Sequence, residues 1–411
     1  MKKNHFWTIH LDYSIIGIVF TLLMIGILSV YVAVSHDYPQ MVWPFLGQQL
    51  AWIGVGCIIC LIVTIFSTKF LWKITPFLYL LGLALMVLPL VFYNPNLVAS
   101  TGAKNWVAYG NITLFQPSEF MKIPFILMLS RSIVRFLQRN KGRERLLRQD
   151  WFLILELTIY TIPVFALLAL QQDLGTALVF LAIFAGLVLV SGVSWKIILP
   201  VILLLAGGLA GFLFLFLFLS EGGRAFLHQQ VGMPTYQMNR ILAWLNPFDY
   251  AQTTTYQQAQ GQLAIASGGL FGQGFNVSNL LVPVRESDMI FTVVAEDFGF
   301  VGALVLLILY VTLIYRILKI TLQSNNQFYT YISIGFIMML VFHIFENVGA
   351  VTGLLPLTGI PLPFISQGGS SIISNLIGIG LVLSIYNHSS KKKGPEEEVP
   401  IRKKVVLKKA Q

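Results

Sequence analysis

FLILELTIYTIPVFALLALQQDLGTALVFLAIFAGLVLVSG, residues 152–192, contains two apolar runs that are separated only by Gln171, Gln172 and Asp173. Each run approaches the roughly 20 apolar residues that a helix needs to cross a bilayer. The polar break between them is long enough for a turn and for nothing larger. The stretch therefore predicts two membrane-spanning helices that form a tight hairpin.

The composition extends this interpretation to the whole chain of 411 residues. Hydrophobic residues make up 56% of it and charged residues only 11%, whereas soluble globular proteins contain about 25% charged residues. A surface that faces water cannot be built from so few charges. The composition argues against a soluble enzyme, a nucleic-acid-binding protein and a disordered scaffold, and it predicts a polytopic membrane protein with membrane lipids around it and no nucleic-acid partner.

Ten segments are apolar and long enough to cross a bilayer, so the expected fold class is an all-α integral membrane protein with about ten transmembrane helices. The first is expected to be retained as a span, because no small-residue cleavage site follows it. The fourth begins with the polar sequence QPSEFMKI, residues 116–123, which we expect to be buried against protein. The segments lie at roughly 14–34, 49–66, 72–93, 117–134, 152–170, 174–192, 197–219, 289–315, 328–350 and 370–387.

The distribution of Lys and Arg predicts the orientation. With the N-terminus inside, all but five of the 27 basic residues fall in cytoplasmic segments, as the positive-inside rule requires. Both termini are then cytoplasmic, and residues 220–288 form one large external loop in a membrane domain of residues 1–388. Residues 389–411 are expected to be a basic, disordered tail that is attracted to anionic lipid. The five exceptions are Lys104, Lys122, Arg224, Arg240 and Arg285.

Ionisable side chains inside the membrane region are the main candidates for function, because an ionisable group at bilayer depth is costly. In the predicted topology they cluster near the external face. This clustering predicts a shared external cavity. The residues are Lys104, Glu119, Lys122, Asp173, Arg285, Glu286, Asp288, Glu296, Asp297 and Glu346.

Most of these residues also have a purely structural interpretation. Glu119 and Lys122 are three residues apart, so on a helix they could neutralise each other. Asp173 could cap the sixth span, and Ser287 or Asp288 could cap the eighth.

Two acids of the eighth span allow further expectations. Glu296 lies about 12 Å deeper than Asp288 along a helix and needs a basic or polar partner, which Lys122 could supply. Asp297 faces nearly opposite to Asp288, and we expect it to be structural.

Two glycine-rich segments predict rigid, shaped loops. GLLPLTGIPLPFISQGGSS, residues 353–371, contains three prolines, which fix φ, and four glycines, which allow positive φ. AIASGGLFGQGF, residues 264–275, is similar. An ordinary surface loop would be more polar and less patterned than either segment.

Together these segments resemble the SEDS family of shape, elongation, division and sporulation proteins. NVGAVTGLLPLTGIPLPFISQGGSS, residues 347–371, is similar to the family signature, with Gln367 where Tyr is usual. In the hairpin, Gln172 replaces the usual Pro. Four further motifs fall in family order: FQPSEFMKI, QQDLGTAL, NPFDYAQTTTYQQAQGQLAIASGGLFGQGF and RESDMIFTVVAEDFG.

The resemblance implies a peptidoglycan glycosyltransferase. Such an enzyme polymerises lipid II into glycan strands outside the cytoplasmic membrane, releases undecaprenyl pyrophosphate and works with a class B penicillin-binding protein that crosslinks the product. The first external loop and the TGLLPLTGIPLPF run are more similar to the elongation, RodA-type members of Gram-positive bacteria than to the division, FtsW-type members.

The resemblance also implies roles for individual residues. Asp288 matches the acid regarded as catalytic, and Lys122 matches the basic residue that follows the Q-P-S-E motif. The family's basic residue before a tryptophan is Asn105 here, with Lys104 one place earlier, which puts an equivalent role for Lys104 in doubt. The residues predicted to bind substrate are Lys104, Glu119, Arg240, Glu296, Ser366 and Gln367.

The chemistry of chain growth is compatible with these roles. A base must take the proton of the sugar hydroxyl that attacks the anomeric carbon, and a carboxylate such as Asp288 can do so. Negative charge then develops on the departing pyrophosphate, where Lys122 could stabilise it, assisted by Lys104, Arg240 or a divalent cation. Oxygen ligands suit Mg²⁺ or Mn²⁺, but no ligand set can be named, and no organic cofactor is expected.

Two other functions remain open at this point. A lipid II flippase would also use intramembrane charges and Pro/Gly-rich segments, although here the charges lie at one face rather than along a path to both. A non-catalytic scaffold that activates a penicillin-binding protein would not need the charges of the cavity at all.

Overall fold

The computed structural model describes residues 10–110, 112–142, 145–218, 235–245, 247–248, 256–277 and 280–391. Most of these residues belong to helices. In chain order the elements are α1 (Tyr13–Asp37), α2 (Val42–Thr64), α3 (Thr68–Val91), α4 (Pro95–Thr101), β1 (Val107–Tyr109), β2 (Ile112–Phe115), α5 (Pro117–Arg139), α6 (Leu147–Gln171), α7 (Leu174–Val190), α8 (Trp195–Phe218), α9 (Thr235–Leu245), α10 (Tyr256–Gly268), α11 (Phe291–Gln323), α12 (Gln327–Val351) and α13 (Gly369–Lys391).

Long helices lie at all ten positions where spans were predicted. Eight of them, within the described residues, are long and apolar enough to cross a membrane by length and composition. The other two are α7, which is apolar but has only 17 residues, and α5, whose 23 residues carry several charges. The predicted all-helical membrane fold is thus confirmed.

The interior of the bundle is formed by α5, α12 and α13. The α5 helix packs against α3, α12 and α13, and α13 packs against α2. The polar start of α5 is buried, including Glu119 and Lys122, as the sequence predicted. Because these helices are surrounded by protein rather than lipid, they can carry polar side chains that a lipid-facing helix could not.

The helical hairpin of residues 152–192 forms as predicted. The α6 helix ends at Gln171, where Gln172 adopts a left-handed conformation with φ 59°. The carboxylate of Asp173 then caps α7 by accepting a hydrogen bond from the Thr176 amide at 3.1 Å. The capping interpretation of Asp173 is therefore confirmed.

The eighth span is broken near its start, which the sequence analysis did not predict. Gly299 interrupts α11 with φ 64° and ψ −161°. The segment that follows α10 supplies hydrogen-bond partners for the backbone groups freed by this break. Gln273 N donates to Glu296 O, and Phe300 N donates to Gly269 O, each at 2.9 Å. A broken helix is tolerated at membrane depth when its freed backbone groups find such partners.

Two further features were not predicted. Strands β1 and β2 pair as an antiparallel hairpin in the loop after α3, and the described part of the long loop 220–288 contains two helices, α9 and α10. Helix α13 continues to Lys391, three residues into the segment 389–411 that was predicted to be a tail. Residues 392–411, and with them the predicted disorder, lie outside the described residues.

Candidate functional site

A cavity of about 500 Å³ lies at one end of the bundle, where four loops meet the start of α7. It brings together Glu119, Asp173 and Asp288, which the sequence predicted to share a cavity, and Arg240, which was predicted to bind substrate. The lining also includes the proline-rich segment 356–361 and residues 367–371. Several residues that were predicted to share the cavity or to bind substrate do not line it: Lys104, Lys122, Arg285, Glu286, Glu296, Asp297, Glu346 and Ser366.

Asp288 occupies a turn before α11, and its side chain opens onto the cavity. Asn347 fixes this turn, since its Nδ2 donates to both Asp288 O and Ile360 O at 2.8 Å. Gly359, with φ 80°, lies so close that a Cβ there would be 3.8 Å from Asp288 Oδ2. Gln257 Nε2 lies 3.4 Å from Asp288 Oδ1. The loop glycine thus leaves space beside the carboxylate.

The predicted capping role of Ser287 or Asp288 is wrong. The residue before α11 is Ile290, and no side chain caps the helix there. The turn between Asp288 and the helix separates the carboxylate from the first helical amides. Asp288 is consequently available to the cavity.

The turn that carries Asp288 is held to the proline-rich loop by Ser366. Its Oγ donates to Ser287 O at 2.6 Å and accepts from Leu362 N at 2.8 Å. Gln367 N donates to Glu286 O at 2.8 Å. Ser366 is buried and its hydroxyl bonds only to backbone atoms, so it holds the turn in place and does not face the cavity. Gln367, by contrast, lines the cavity.

One residue beside this turn has a strained backbone. Val284 has φ 56°, a left-handed conformation that is a genuine outlier for a β-branched residue. Strain of this kind costs about 1–3 kcal/mol per residue and concentrates at functional sites. It marks the segment 284–288 as a shaped part of the cavity.

The surroundings of Asp288 change its acidity. The pKa of its carboxyl is raised from 3.8 to about 6, mainly by burial and to a smaller extent by nearby Glu286. Its own backbone hydrogen bond, the Arg240 guanidinium and Gln257 act in the opposite direction on that pKa. A pKa near 6 leaves the group ionised at neutral pH and basic enough to accept a proton.

Lys122 lies one layer behind the cavity wall. Its side chain is only 1% exposed, and Nζ is 2.7 Å from Glu119 Oε2 and 3.0 Å from His343 Nε2. His343 Nδ1 lies 2.7 Å from the Met339 carbonyl. Since a carbonyl and an ammonium flank the ring, Nδ1 carries the proton and Nε2 accepts from Lys122. Glu119 and His343 themselves line the cavity.

Arg240 brings a positive charge directly to the cavity. Its Nη1 donates to the Leu357 carbonyl at 2.9 Å, and nearby Trp244 donates to Gly353 O at 3.0 Å. These bonds attach α9 to the proline-rich loop. Among the described residues, Arg240 is the one Lys or Arg side chain in the lining.

The opposite wall is built around Asp173. Its Oδ2 accepts from Asn105 Nδ2 at 2.9 Å and from Gln116 Nε2 at 3.2 Å. Asn105, the position of the family's basic residue, lines the cavity. Lys104 does not, because its ammonium sits over the Tyr93 ring, 4.7 Å from the centroid.

Glu296 has a different partner from the one predicted. It forms a buried ion pair with Arg285, while Lys122 pairs with Glu119. The sequence positions on α5 and α11 could not reveal that Arg285, in the turn segment before α11, would pair with Glu296. Asp297 Oδ2 accepts from the Asn276 amide at 3.1 Å, in agreement with a structural role.

Sequence analysis missed His343, Gln257 and Asn347 as parts of the site. A signal existed for His343, since a histidine within a predicted span is a functional candidate by its cost alone. It also lies four residues before Asn347, on the same face of α12. Gln257 carried no comparable signal, because polar residues are ordinary in an external loop.

The donor set does not form a dedicated metal cage. Within the part of the chain that the structure describes, no three His, Cys, Asp or Glu side chains are arranged to hold a metal ion. Asp173 and Glu119 are already engaged by amides, a hydroxyl and an ammonium.

Comparison with known proteins gives the same family that the motifs suggested. The family model FTSW_RODA_SPOVE, described as "Cell cycle protein", matches residues 11–391. The peptidoglycan glycosyltransferase MrdB of Escherichia coli K12 is 32% identical over 392 residues, which are 94% of this chain and 96% of MrdB.

Two solved structures share the fold. One comes from work on how a peptidoglycan synthase complex coordinates polymerization and crosslinking; it has a TM-score of 0.71 and 27% identity, and the match covers 94% of this chain and 100% of the other. The other is the rod shape determining protein RodA of Thermus thermophilus, with a TM-score of 0.62, 28% identity and coverage of 92% and 96%. With the family model and a 32% identical relative both spanning nearly its whole length, the chain belongs to the FtsW/RodA/SpoVE (SEDS) family and is a multi-pass protein of the cell membrane.

Proposed function

We propose that this protein polymerises lipid II on the outer face of the cytoplasmic membrane during cell elongation, with Asp288 as the general base. The observation that carries the proposal is the position of Asp288 in the cavity, with a pKa of about 6. The coarser statement rests on family membership: the chain is a SEDS-family peptidoglycan glycosyltransferase.

The proposed reaction forms one bond and breaks one. A sugar hydroxyl attacks the anomeric carbon of the lipid-linked glycan, and the bond from that carbon to pyrophosphate breaks, with its electron pair leaving on the pyrophosphate. Asp288 accepts the hydroxyl proton as the new bond forms. The space left by Gly359 beside its carboxylate is where the hydroxyl would approach.

Cations support the leaving group in this scheme. Arg240 lines the cavity and is held by Leu357 O, so its guanidinium is fixed before the pyrophosphate charge develops. A charge that is fixed in advance stabilises a transition state without reorganisation. Lys122 acts from behind Glu119 and His343, and Lys104 contributes only from the rim, since it contacts Tyr93.

A divalent cation, Mg²⁺ or Mn²⁺, would be held mainly by the substrate. Such ions are commonly bound through one or two carboxylates together with substrate phosphates. This mode suits a cavity that the Asp288 carboxylate lines and that has no cage of three ligands among the described residues. No step of the proposed reaction depends on it.

The proposed partner is a class B penicillin-binding protein, which would crosslink the glycan as it is made. Support comes from the likeness to a chain of a peptidoglycan synthase complex. We place the contact on the eighth and ninth spans, α11 and α12. The α11 helix presents exposed apolar side chains such as Phe300, Leu304 and Val311, which another membrane helix could cover.

The decisive experiment uses purified protein in detergent with labelled lipid II. A polymerase produces glycan strands longer than the substrate although no second compartment exists, whereas a flippase produces none. The reaction is run with and without the partner. A non-catalytic scaffold would give polymer only in the sample that contains the partner, because the partner would then be the polymerising enzyme. Absence of polymer in both samples would refute the proposed activity.

The elongation role has a separate test. The family model covers elongation, division and sporulation members alike. Depletion of an elongation enzyme makes rods wide and round, whereas depletion of a division enzyme makes filaments. Filaments would assign the chain to the division-specific, FtsW-type role and leave the polymerase activity intact.

A further inference from the structure

The hairpin of β1 and β2 has an apolar face that no described part of the protein covers. Tyr109 and Ile112 are cross-strand partners, and Leu114 shares their face because side chains on a strand alternate. The three side chains are 82%, 68% and 50% exposed. Three large apolar side chains on one face of so small an element call for an occupant.

The sequence around the hairpin is unlike that of a loop in water. From Asn105 to Ser118 it contains no Asp, Glu, Lys or Arg. An exposed sheet edge in water is normally protected by charges, which prevent aggregation. A partner recognised by charge is excluded by the same composition, so the surface fits an apolar, uncharged environment.

The hairpin continues the lipid-facing surface of the bundle. Ala108 N donates to Phe92 O at 3.1 Å, which fastens β1 to the end of α3. That end of α3 exposes Val91 and Phe92, and its middle exposes Phe77 and Leu80. The apolar face of the hairpin thus begins where the exposed apolar surface of a spanning helix ends.

We propose that the hairpin of residues 107–115 is an interfacial membrane anchor whose Tyr109, Ile112 and Leu114 insert into the adjoining lipid leaflet. The depth is limited. An open strand edge does not occur in the hydrocarbon core, because its backbone groups would lack partners. An amphipathic element instead buries its apolar face about 5–10 Å into the boundary between headgroups and acyl chains, where tyrosine is favoured.

The anchor has a consequence for the cavity, and this part rests on the proposed function. Trp106 and Gln116, the residues that flank the hairpin, both line the cavity. An inserted hairpin therefore sets this wall of the cavity at the membrane interface. A lipid-linked substrate could enter there with its pyrophosphate at headgroup level and its tail still in the bilayer.

The anchor is tested by fluorescence in liposomes of phosphatidylglycerol and phosphatidylethanolamine. Single cysteines replace Ile112 or Leu114 in a background where Cys57 and Cys60 are alanine, and each carries an environment-sensitive dye. Leu80→Cys, at the middle of α3, is the deep control, and Lys141→Cys, at the exposed turn after α5, is the water control. Lipids with a spin label at carbon 5 or carbon 12 report depth, and iodide reports water.

The expected result is strong quenching at residues 112 and 114 by the carbon-5 label, weaker quenching by the carbon-12 label and little by iodide. Leu80→Cys should show the opposite order of depths. If iodide quenches the dyes and the spin-labelled lipids do not, the hairpin lies in water and the anchor is overturned. The anchor is also overturned if the dyes become protected from both iodide and spin-labelled lipid only when a penicillin-binding partner is added, because the partner would then be what covers the hairpin.

A second arm tests the route of the substrate. The triple change Tyr109→Ser/Ile112→Ser/Leu114→Ser should lower polymerisation of full-length lipid II in liposomes several-fold and spare a short-tailed, water-soluble analogue. Equal loss with both substrates would overturn the entry route. Lack of polymer with the unchanged protein would refute the proposed function instead, while the quenching result would stand on its own.

Discussion

Asp288 differs from the other carboxylates of the cavity in what its oxygens contact. Asp173 accepts hydrogen bonds from Asn105, Gln116 and Thr176, and Glu119 pairs with Lys122. Asp288 accepts from its own backbone amide, and its other contacts are long ones with Gln257 at 3.4 and 3.5 Å. A carboxylate whose lone pairs are weakly engaged is the one that can accept a proton from a reacting hydroxyl.

Replacing Asp288 by Asn tests the base directly. Asn has nearly the same size and can keep a contact with Gln257, but it cannot accept the proton. Loss of a general base costs about 10²–10⁴-fold in rate, so polymerisation of lipid II should fall to near the detection limit while expression and partner binding persist. Asp297→Asn is the matched control, because its amide oxygen can still accept from Asn276 N. Near-normal glycan synthesis by Asp288→Asn would exclude the base.

The pH profile tests the same group independently. A base works when deprotonated, so a pKa of about 6 leaves roughly 90% of Asp288 active at pH 7 and roughly 10% at pH 5. The rate at low lipid II should therefore fall about fivefold from pH 6 to pH 5 and approach a tenfold loss per pH unit below that. An unburied aspartate, with a pKa of 3.8, would keep the rate nearly flat to about pH 5. A flat profile down to pH 5 would show that another group takes the proton.

The charge of Lys122 can be separated from its pairing. Lys122→Met leaves Glu119 buried without its ion-pair partner, which typically costs 3–5 kcal/mol, so this variant should be both inactive and less stable. Glu119→Gln/Lys122→Met restores neutrality and should recover thermal stability but not polymerisation. Melting temperature and glycan synthesis are measured on the same samples. Recovery of activity in the double variant would reduce Lys122 to a structural partner.

At the residue scale, the sequence was a better guide to which charged side chains share the cavity than to which of them form ion pairs. The cost of burying charge was enough to bring Glu119, Asp173 and Asp288 to one cavity. It did not reveal that Glu296 pairs with Arg285, because pairing depends on how two separate helices and a loop pack. The same limit explains the misplaced Ser366, whose hydroxyl is used by the backbone of the site.

At the scale of elements, apolar length predicted every long helix, while backbone detail escaped it. The ten positions follow from runs of about 20 apolar residues. The break in α11 was missed because apolar residues dominate on both sides of Gly299, and the two acids before it, Glu296 and Asp297, do not end the apolar segment. The β-hairpin was missed because VAYGNITLF is too short to distinguish from an apolar loop.

The break in α11 predicts a severe effect for Gly299→Ala. With φ 64° and ψ −161°, the position is accessible almost only to glycine, and a Cβ would overlap the backbone of Leu270 and Gly272. The conformational strain alone is about 1–3 kcal/mol, and the overlap adds to it. Thermal unfolding in detergent should show a clear loss of stability. Gly17→Ala is the control, since nothing lies within 4 Å of its Cβ position; equal melting temperatures for both variants would contradict the break.

At the scale of the whole molecule, the two helices that fall short of a simple criterion of length and hydropathy have protein neighbours, and α5 is largely buried. The α5 helix is surrounded by α3, α6, α7, α12 and α13, and α7 packs against α12. A helix with protein neighbours can carry Glu119 or several arginines that lipid would not accept. Length does not exclude either one, because spanning helices contain about 17–25 residues and these two contain 23 and 17.

The orientation of residues 140–146 decides between eight spans and ten. With eight spans, omitting α5 and α7, this turn would lie outside, together with most of the seven basic residues from Arg131 to Arg148. Ten spans place it inside, as the positive-inside rule favours. Both arrangements put the long loop outside and the C-terminus inside, so those regions cannot distinguish them.

Cysteine accessibility in intact cells settles the topology. In a background without Cys57 and Cys60, we expect a cysteine at Gly142 to be shielded from a membrane-impermeant thiol reagent and labelled only after the cells are opened. Thr254→Cys should be labelled from outside, and Gly394→Cys should be shielded; these two controls give the same result for eight or ten spans. Gly142 has φ 79°, so a cysteine there is strained. Lys141→Cys, in the same turn, repeats the measurement without that strain. Labelling of both turn variants from outside would remove α5 and α7 from the membrane and place the seven basic residues on the face that holds the cavity.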